Sequence, residues 1–474
     1  MYSLCLDCGA TNVRAMVVDA QGAIVGKASQ PNATLPGDEN PDFHVWDAGR
    51  IFNQLSECAL RALQGLDAGQ IKAVTITTFG VDGALTDASG KLLYPVISWK
   101  CPRTAEVMRA IGKYLSQDEL NRISGVGAFA FNTIYKLVWL KENRPDLLEQ
   151  AHAWLFISNI LAHKLTGVMA TDRTMAGTSQ LTDLQTGDFS PFILERLGLS
   201  RSLFPRIVNA GETIGSVTPQ AAQAMGIPAL AGVPVISTGH DTQFAIFGSG
   251  AAKDQPVLSS GTWEILMVRS SQARLSPEDY ADGATAEYDA EPALLNPGLQ
   301  WVGSGIIEWV KATCFKGENY DTMDAEAEVI APGCDGVSLV PDFLASGEGK
   351  GSINGLVLGR TRGHIYRAAM EALTWRLKSR LARLESVGGF RSECLVLVGG
   401  GARNKIWTQM RADILQMPVK VAEVSESTVL GASMFAFAGA GVYATPEQAR
   451  DAFGISYRTY LPGPQQAAYE KLNH

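Results

Sequence analysis

A chain of 474 residues is too long for one ordinary hydrophobic core and implies two domains of roughly 200 residues or more. Its 46% hydrophobic and 19% charged residues describe a soluble globular protein, and a net charge of −8 argues against nucleic acid or an anionic membrane surface as the main partner. No apolar run reaches membrane length, the start at Met1-Tyr2-Ser3 has no basic leader, and seven scattered cysteines do not read as a disulfide framework, so a cytoplasmic protein with reduced thiols is expected.

In chain order, residues 3–8, 13–19 and 23–29 read as a three-stranded meander with a hairpin turn at Asp19-Ala20-Gln21-Gly22. Cys5 and Cys8 are three apart on the first strand and therefore face opposite sides, as two buried thiols. Asp47 to Leu63 carries Ile51, Leu55, Ala59 and Leu63 at helical spacing, with Asp47 as cap. The β-branched strand "IKAVTITTFG" (71–80) ends on a glycine, and 100–205 reads as largely helical. "PVLSSGTWEILMVRS" (256–270) repeats the opening logic of strand, small-residue turn and strand. "CLVLVGGGARN" (394–404) is a strand opening on glycines before a helix, "VKVAE" (419–423) another strand, and Ser427 to Ala440 a small-residue helix. Two related α/β domains are expected, with a boundary near 243–255 at "FGSGAAKDQP".

Four stretches carry candidate chemistry. In Asp7-Cys8-Gly9-Ala10-Thr11-Asn12, a tight turn aims backbone N–H groups and hydroxyls into one concavity, which suits a phosphate; Asp7 would then hold a metal ion or its waters. The alternative is an ordinary surface hairpin. Gly399-Gly400-Gly401 before a helix allows close approach of a ligand, or serves only a tight turn; it is not a dinucleotide fingerprint, because position 404 is Asn. In "VISTGHDTQFA" (235–245), Asp241 stands at a strand end, where it can accept a proton from an alcohol or cap the helix that follows. In "TTFGVDGAL" (77–85), Asp82 either reads sugar hydroxyls or belongs to a turn. No two histidines stand at metal-ligand spacing.

Taken together, Asp7-x-Gly9-x-Thr11-Asn12, Gly239-His240-Asp241-Thr242, Ser260-Gly261-Thr262-Trp263 and Gly399 to Asn404 resemble the FGGY carbohydrate kinases in order and spacing, over essentially the whole chain. The resemblance implies a two-domain α/β fold of the ribonuclease-H-like kind shared with actin, hexokinase and the Hsp70 chaperones, with ATP and sugar in an interdomain active-site cleft. Residues 1–245 would form the sugar-binding domain and 246–474 the nucleotide-binding one. By the same resemblance Ala10, Thr11, Asn12, Val13, Arg14, Gly261 and Thr262 lie near the ATP phosphates. Gly400, Gly401 and Asn404 lie near adenosine, and Asp7 faces Mg2+. Gly80, Asp82, His240, Thr242 and Asn296 lie near the sugar, with Asp241 as base. Glycerol kinases carry an Arg-Glu pair and xylulokinases a Met-His pair where this chain has Phe79-Gly80, and the Gly80-Val81-Asp82 stretch resembles members acting on deoxyketoses. The implied reaction is transfer from ATP to C1 of L-fuculose, with L-rhamnulose or D-ribulose as rival sugars and a non-kinase ATPase of the same superfold as a rival class. Phe79, Val81, Phe129 and Phe131 are candidates for an apolar wall against the sugar's methyl group, and Asp82 or Asn132 for reading a hydroxyl. A homo-oligomer is compatible with the sequence.

Overall fold

The computed structural model describes residues 1–343, 350–424 and 426–472. Contacts divide the chain into two compact units that are not a single cut in sequence. The first takes 1–250, 275–296 and 426–455, and the second 251–274, 297–425 and 456–474.

The first unit is built on a sheet of β1 (Tyr2–Cys8), β2 (Asn12–Asp19), β3 (Ile24–Pro31), β4 (Ile71–Thr78), β5 (Thr213–Ser216) and β6 (Pro234–His240). Their order is β5-β6-β4-β1-β2-β3. β1 to β3 form the expected antiparallel meander, while β4 lies parallel to β1 and β6 parallel to β4. β1 is buried on both faces, which is why its residues do not alternate in polarity. Cys5 and Cys8 are both buried free thiols.

Helix α1 (Ala48–Ala62) begins where Asp47 accepts from the backbone N–H groups of Gly49 and Arg50, each at 2.9 Å. It buries Ile51, Leu55, Cys58, Ala59 and Ala62 against the sheet. "TIYKLVWLKEN" forms α2 (Thr133–Asn143). Within the largely helical 100–205, the helical spacing of "LFISNILAHKLTG" (155–167) starts two residues too early: Ala153–Phe156 is a strand, paired antiparallel with Gly83–Thr86, and the helix begins only at Ile157. Four apolar residues in a row fit either element, and pairing with 83–86 decides it.

The second unit repeats the pairing pattern. Six strands of a seven-stranded sheet are β7 (Val257–Ser260), β8 (Trp263–Met267), β9 (Leu295–Val302), β10 (Leu395–Val398), β11 (Val419–Ala422) and β12 (Tyr457–Tyr460), in the order β9-β8-β7-β10-β11-β12. β7 to β9 are an antiparallel meander, β10 and β11 join in parallel, and β12 closes the edge antiparallel. The pairing matches that of β1, β2, β3, β4, β6 and β5 in the first unit, but the edge strand β5 precedes β6 in the chain whereas β12 follows β11.

Helix α3 (Asp241–Gly248) leaves the end of β6 and crosses the helix Ser427–Gly439. A methyl group on Gly248 would overlap the Ser427 carbonyl oxygen, and one on Gly431 the Phe244 carbonyl oxygen. The crossing therefore needs both glycines, and it fixes the helix that begins at Asp241. Gly431→Ala is expected to lower stability by about 1–3 kcal/mol through this overlap; an unchanged urea midpoint would show that the crossing has room.

Candidate active site

The site in the first unit is set by strand register. Asp7 on β1 lies opposite Thr77 on β4, and Thr77 lies opposite Gly239 on β6. The three form one row at the carboxyl ends of parallel strands, the edge where α/β proteins hold ligands. Asp7 is almost fully buried. Thr77 Oγ1 donates to Asp7 Oδ1 at 3.0 Å, and Arg14, its partner across β2, donates Nε to Oδ2 at 2.8 Å. Arg14 Nη2 pairs with the same oxygen, and Nη1 donates to Glu426 Oε2 at 2.7 Å.

The turn after β1 is tight: Gly9 N–H donates to the Asn12 carbonyl at 2.9 Å, and Asn32 Nδ2 donates to the Gly9 carbonyl at 2.9 Å. Its tip exposes Thr11 and Asn12 and half exposes Ala10, whereas the Val13 side chain is buried in the core, so only its backbone can meet a ligand.

Gly239, with φ +131°, follows from its neighbour: a side chain there would overlap the carboxylate of buried Asp172. Asp172 accepts from the backbone N–H groups of Thr174 (2.8 Å) and Met175 (3.1 Å) and from Ser237 Oγ (2.7 Å). Thr174 Oγ1 in turn accepts from the His240 N–H at 2.9 Å. Burial pushes the Asp172 carboxyl up to about 6, against the pull of its hydrogen bonds.

Asp241 does not cap the helix. It is the first residue of α3, His240 holds the cap position, and no side chain caps this end. The Asp241 carboxylate keeps about a third of its side chain exposed, 3.6 Å from His240 Nε2, and accepts from Thr242 Oγ1 at 3.2 Å. Burial raises its pKa, the charge of Asp7 raises it further, and His240 opposes the shift. His240 Nδ1 lies 3.4 Å from Glu287 Oε2, and Gln243 Nε2 donates to that same oxygen at 2.7 Å. Burial disfavours the imidazolium, but Glu287 and Asp241 outweigh it and the His240 pKa is raised. A Cβ on Gly80 would stand 2.9 Å from His240 Nε2, so Gly80 lies directly against this imidazole. Asp7, Gly80, His240, Asp241 and Thr242 are thus brought together.

Three other expected residues are placed differently. Asp82 is fully buried and is engaged by Lys136, by Trp46 Nε1 at 2.7 Å and by the Trp99 N–H at 3.0 Å. Asn296 is fully buried and donates to Asp289 Oδ2 at 2.7 Å. Asn404 caps the helix Lys405–Leu415 through the Trp407 N–H (2.8 Å), while its Nδ2 donates to Asp324 Oδ1 (3.0 Å) and to the Tyr366 hydroxyl (2.8 Å).

In the second unit, the turn Ser260-Gly261-Thr262 lies against the glycines that follow β10. A Cβ on Gly399 would lie 2.6 Å from the Ser260 carbonyl oxygen, and one on Gly401 would overlap Ser260 Oγ. Packing on Ser260 explains these two glycines. Gly400 meets nothing within 4 Å and is exposed, so it is the one left with space for a ligand. Ser260 is held from below: its Oγ donates to Glu264 Oε1 at 3.0 Å and accepts from Arg411 Nη2 at 2.9 Å, Arg411 also pairs with Glu264, and Trp301 Nε1 donates to Glu264 Oε2 at 2.9 Å. Gly261 and Thr262 project above this buried network, half and fully exposed.

Sequence reasoning did not find Thr77, Asp172, Glu287, Glu426 or the Glu264–Arg411 pair. Thr77 was within reach, because pairing 71–78 in parallel with 2–8 sets it beside Asp7. Glu287 and Glu426 are distant in sequence and carry no motif.

Among the described residues, no group of three or more His, Cys, Asp or Glu side chains stands ready for a metal ion. The oxygens at this edge, Asp7 and the half-exposed Asp241, suit a hard cation carried mainly by phosphates and water.

Residues 2–248 match the N-terminal domain, and residues 257–440 the C-terminal domain, of the FGGY family of carbohydrate kinases. The chain is 50% identical over 470 residues to L-fuculokinase of Escherichia coli (strain K12), covering 99% of each chain. It is 52% identical over 460 residues to L-fuculokinase of Salmonella typhi, covering 97% of each. Its fold matches the crystal structure of xylulose kinase from Rhodospirillum rubrum with a TM-score of 0.90 at 22% identity, covering 100% of this chain and 96% of the other.

Asp172 carries a pH-dependent stability. Its folded pKa lies above the ordinary 3.8, so between these values the folded state binds more protons than the unfolded one, and stability falls as pH rises through about 6. Between about pH 4 and pH 7, the unfolding free energy of the wild type is expected to drop by about 2–3 kcal/mol relative to Asp172→Asn. A difference between the two proteins that does not change with pH would contradict this.

Proposed function

The chain belongs to the FGGY family of carbohydrate kinases and is a sugar kinase, and we propose that it transfers the γ-phosphoryl group of ATP to the C1 hydroxyl of L-fuculose. The observation that carries the chemistry is Asp241: a partly exposed carboxylate at a strand end, not engaged in capping, with a raised pKa and His240 beside it. The L-fuculokinases that match almost end to end support the choice of sugar.

Phosphoryl transfer needs placement and charge neutralisation more than covalent chemistry. Asp241 orients the C1 hydroxyl and accepts its proton. A carboxylate whose pKa is raised is a better base than an ordinary one, provided it is still ionised at working pH. The neighbouring His240, whose pKa Glu287 helps to raise, opposes the rise in the Asp241 pKa and so favours that ionisation. Gly80, lacking a side chain, lets the chain pack directly against that imidazole and so fixes where it stands beside the sugar.

Magnesium enters as part of the nucleotide substrate. Asp7 would hold it, directly or through its waters, and the ion neutralises charge on the phosphates. The exposed tip at Ala10, Thr11 and Asn12 supplies donors to the phosphates, while Arg14, salt-bridged to Asp7 and Glu426, holds Asp7 in place beneath it. Gly261, Thr262 and Gly400 are the open positions of the second unit's nucleotide surface. Seven free thiols suit a reducing cytoplasm as the place of action.

The test is coupled ADP release over a panel of ketoses. L-Fuculose is expected to give the highest kcat/KM, with L-rhamnulose at least about tenfold lower because its C4 hydroxyl is turned, and D-ribulose accepted poorly. Preference for a sugar outside this set would overturn the substrate, and ADP release independent of any ketose would favour an ATPase. In the same assay Asp241→Asn should lower kcat by about 10²–10⁴ with ATP binding retained. Because the base must be ionised, the wild-type kcat should fall on the acid side at a pH above the ordinary carboxylate value of 3.8; an acid limb at or below that value would contradict the raised pKa.

A further inference from the structure

The backbone at Val81 is in a conformation that a branched side chain resists. Its φ is +64°, and the residue is buried. A β-branched residue in the left-handed region costs about 1–3 kcal/mol and persists only where its surroundings over-determine it.

The surroundings here do so. The Val81 N–H donates to Thr178 Oγ1 at 3.1 Å. The Val81 carbonyl accepts from Thr133 Oγ1 at 2.8 Å and from Lys136 Nζ at 3.0 Å. Lys136 is fully buried and ion-paired with the equally buried Asp82. Burial pushes Lys136 down and Asp82 up, and their mutual attraction opposes both shifts.

The clamp joins the parts of the sugar side. One residue before Val81, Gly80 stands against His240, and its Cβ position is also 3.2 Å from Thr178 Cγ2. The Thr178 carbonyl accepts from Asn132 Nδ2 at 3.1 Å, and Asn132 Oδ1 accepts from the Phe129 N–H at 2.7 Å. The Phe129 and Phe131 rings are stacked with centroids 5.1 Å apart and are only half buried, so they form an apolar face rather than core. A glycine at 81 would make this turn without strain, and a purely structural turn has no need of a buried ion pair, whose desolvation is costly.

We propose that Thr133, Lys136 and Thr178 are positioning residues for sugar selection: by holding the left-handed Val81 peptide, they fix Gly80 under His240 at a set distance from the Phe129–Phe131 face, so that the site accepts a deoxyketose of one hydroxyl pattern. This rests on the ketose kinase reading above. A fixed floor discriminates because a sugar with a turned hydroxyl then leaves a polar group unpaired, whereas a yielding one would adjust to it.

The test compares wild type, Val81→Gly and Thr178→Val for kcat/KM with L-fuculose and L-rhamnulose, KM for ATP, and urea midpoint. Val81→Gly relieves strain but also deletes a buried side chain, so its urea midpoint is expected to stay or fall, while the L-fuculose preference falls by about fivefold or more, chiefly through a higher sugar KM. Thr178→Val, which loses the bond to the Val81 N–H, should lose preference in the same direction, and KM for ATP should move in neither. A fold-only role predicts altered stability with unaltered preference. Wild-type preference retained in both variants overturns the inference and leaves the kinase reading standing. Absence of ketose-dependent turnover in the wild type overturns both.

Discussion

Like charges held close at one sheet edge are the constraint around which the first unit is organised. Parallel pairing of β1, β4 and β6 sets Asp7, Thr77 and Gly239 in one row, and Asp241 follows two residues after Gly239. Burial raises the Asp241 pKa, and the charge of Asp7 adds to that rise. The neighbouring groups offset these charges: Arg14 and Thr77 hold Asp7, and His240, supported by Glu287, faces Asp241.

Close approach is the second constraint, and it explains glycines that sequence motifs leave as mere signatures. Gly239 yields to Asp172, Gly80 to His240, and Gly399 and Gly401 to Ser260. Gly400 alone in its run is not demanded by packing. The triplet therefore combines two glycines that seat a loop on the Ser260 turn with one that leaves space. In the second unit the buried Glu264–Arg411 pair does for Ser260 what Arg14 and Thr77 do for Asp7: it fixes a turn from beneath through charged hydrogen bonds.

Much of this was legible in sequence because it is local. The meander, α1 with its Asp47 cap, the strand ending before Phe79 and both small-residue turns follow from patterns within twenty residues. The strand at Ala153–Phe156 was misread, because its pairing with 83–86 is not local. The candidate site was legible to the extent that its residues lie in motifs. Glu287 and Glu426 come from segments that return to the first unit after long excursions, and no single sequence pattern announces such a return. Asp82 and Asn404 show the opposite limit: the turn at 82 and the family resemblance at 404 suggested ligand contact, while the structure engages them with Lys136, Trp46 and Trp99 and with Trp407, Asp324 and Tyr366.

If the site activates one particular hydroxyl, at C1 of a ketose, the phosphate must end on that carbon. The most direct measurement is NMR of the product formed from ATP and L-fuculose labelled with carbon-13 at C1. Phosphorus–carbon coupling is expected at the labelled C1, with one sugar phosphate formed for each ADP released. A phosphate ester at another carbon, or ADP released without any sugar phosphate, would contradict it.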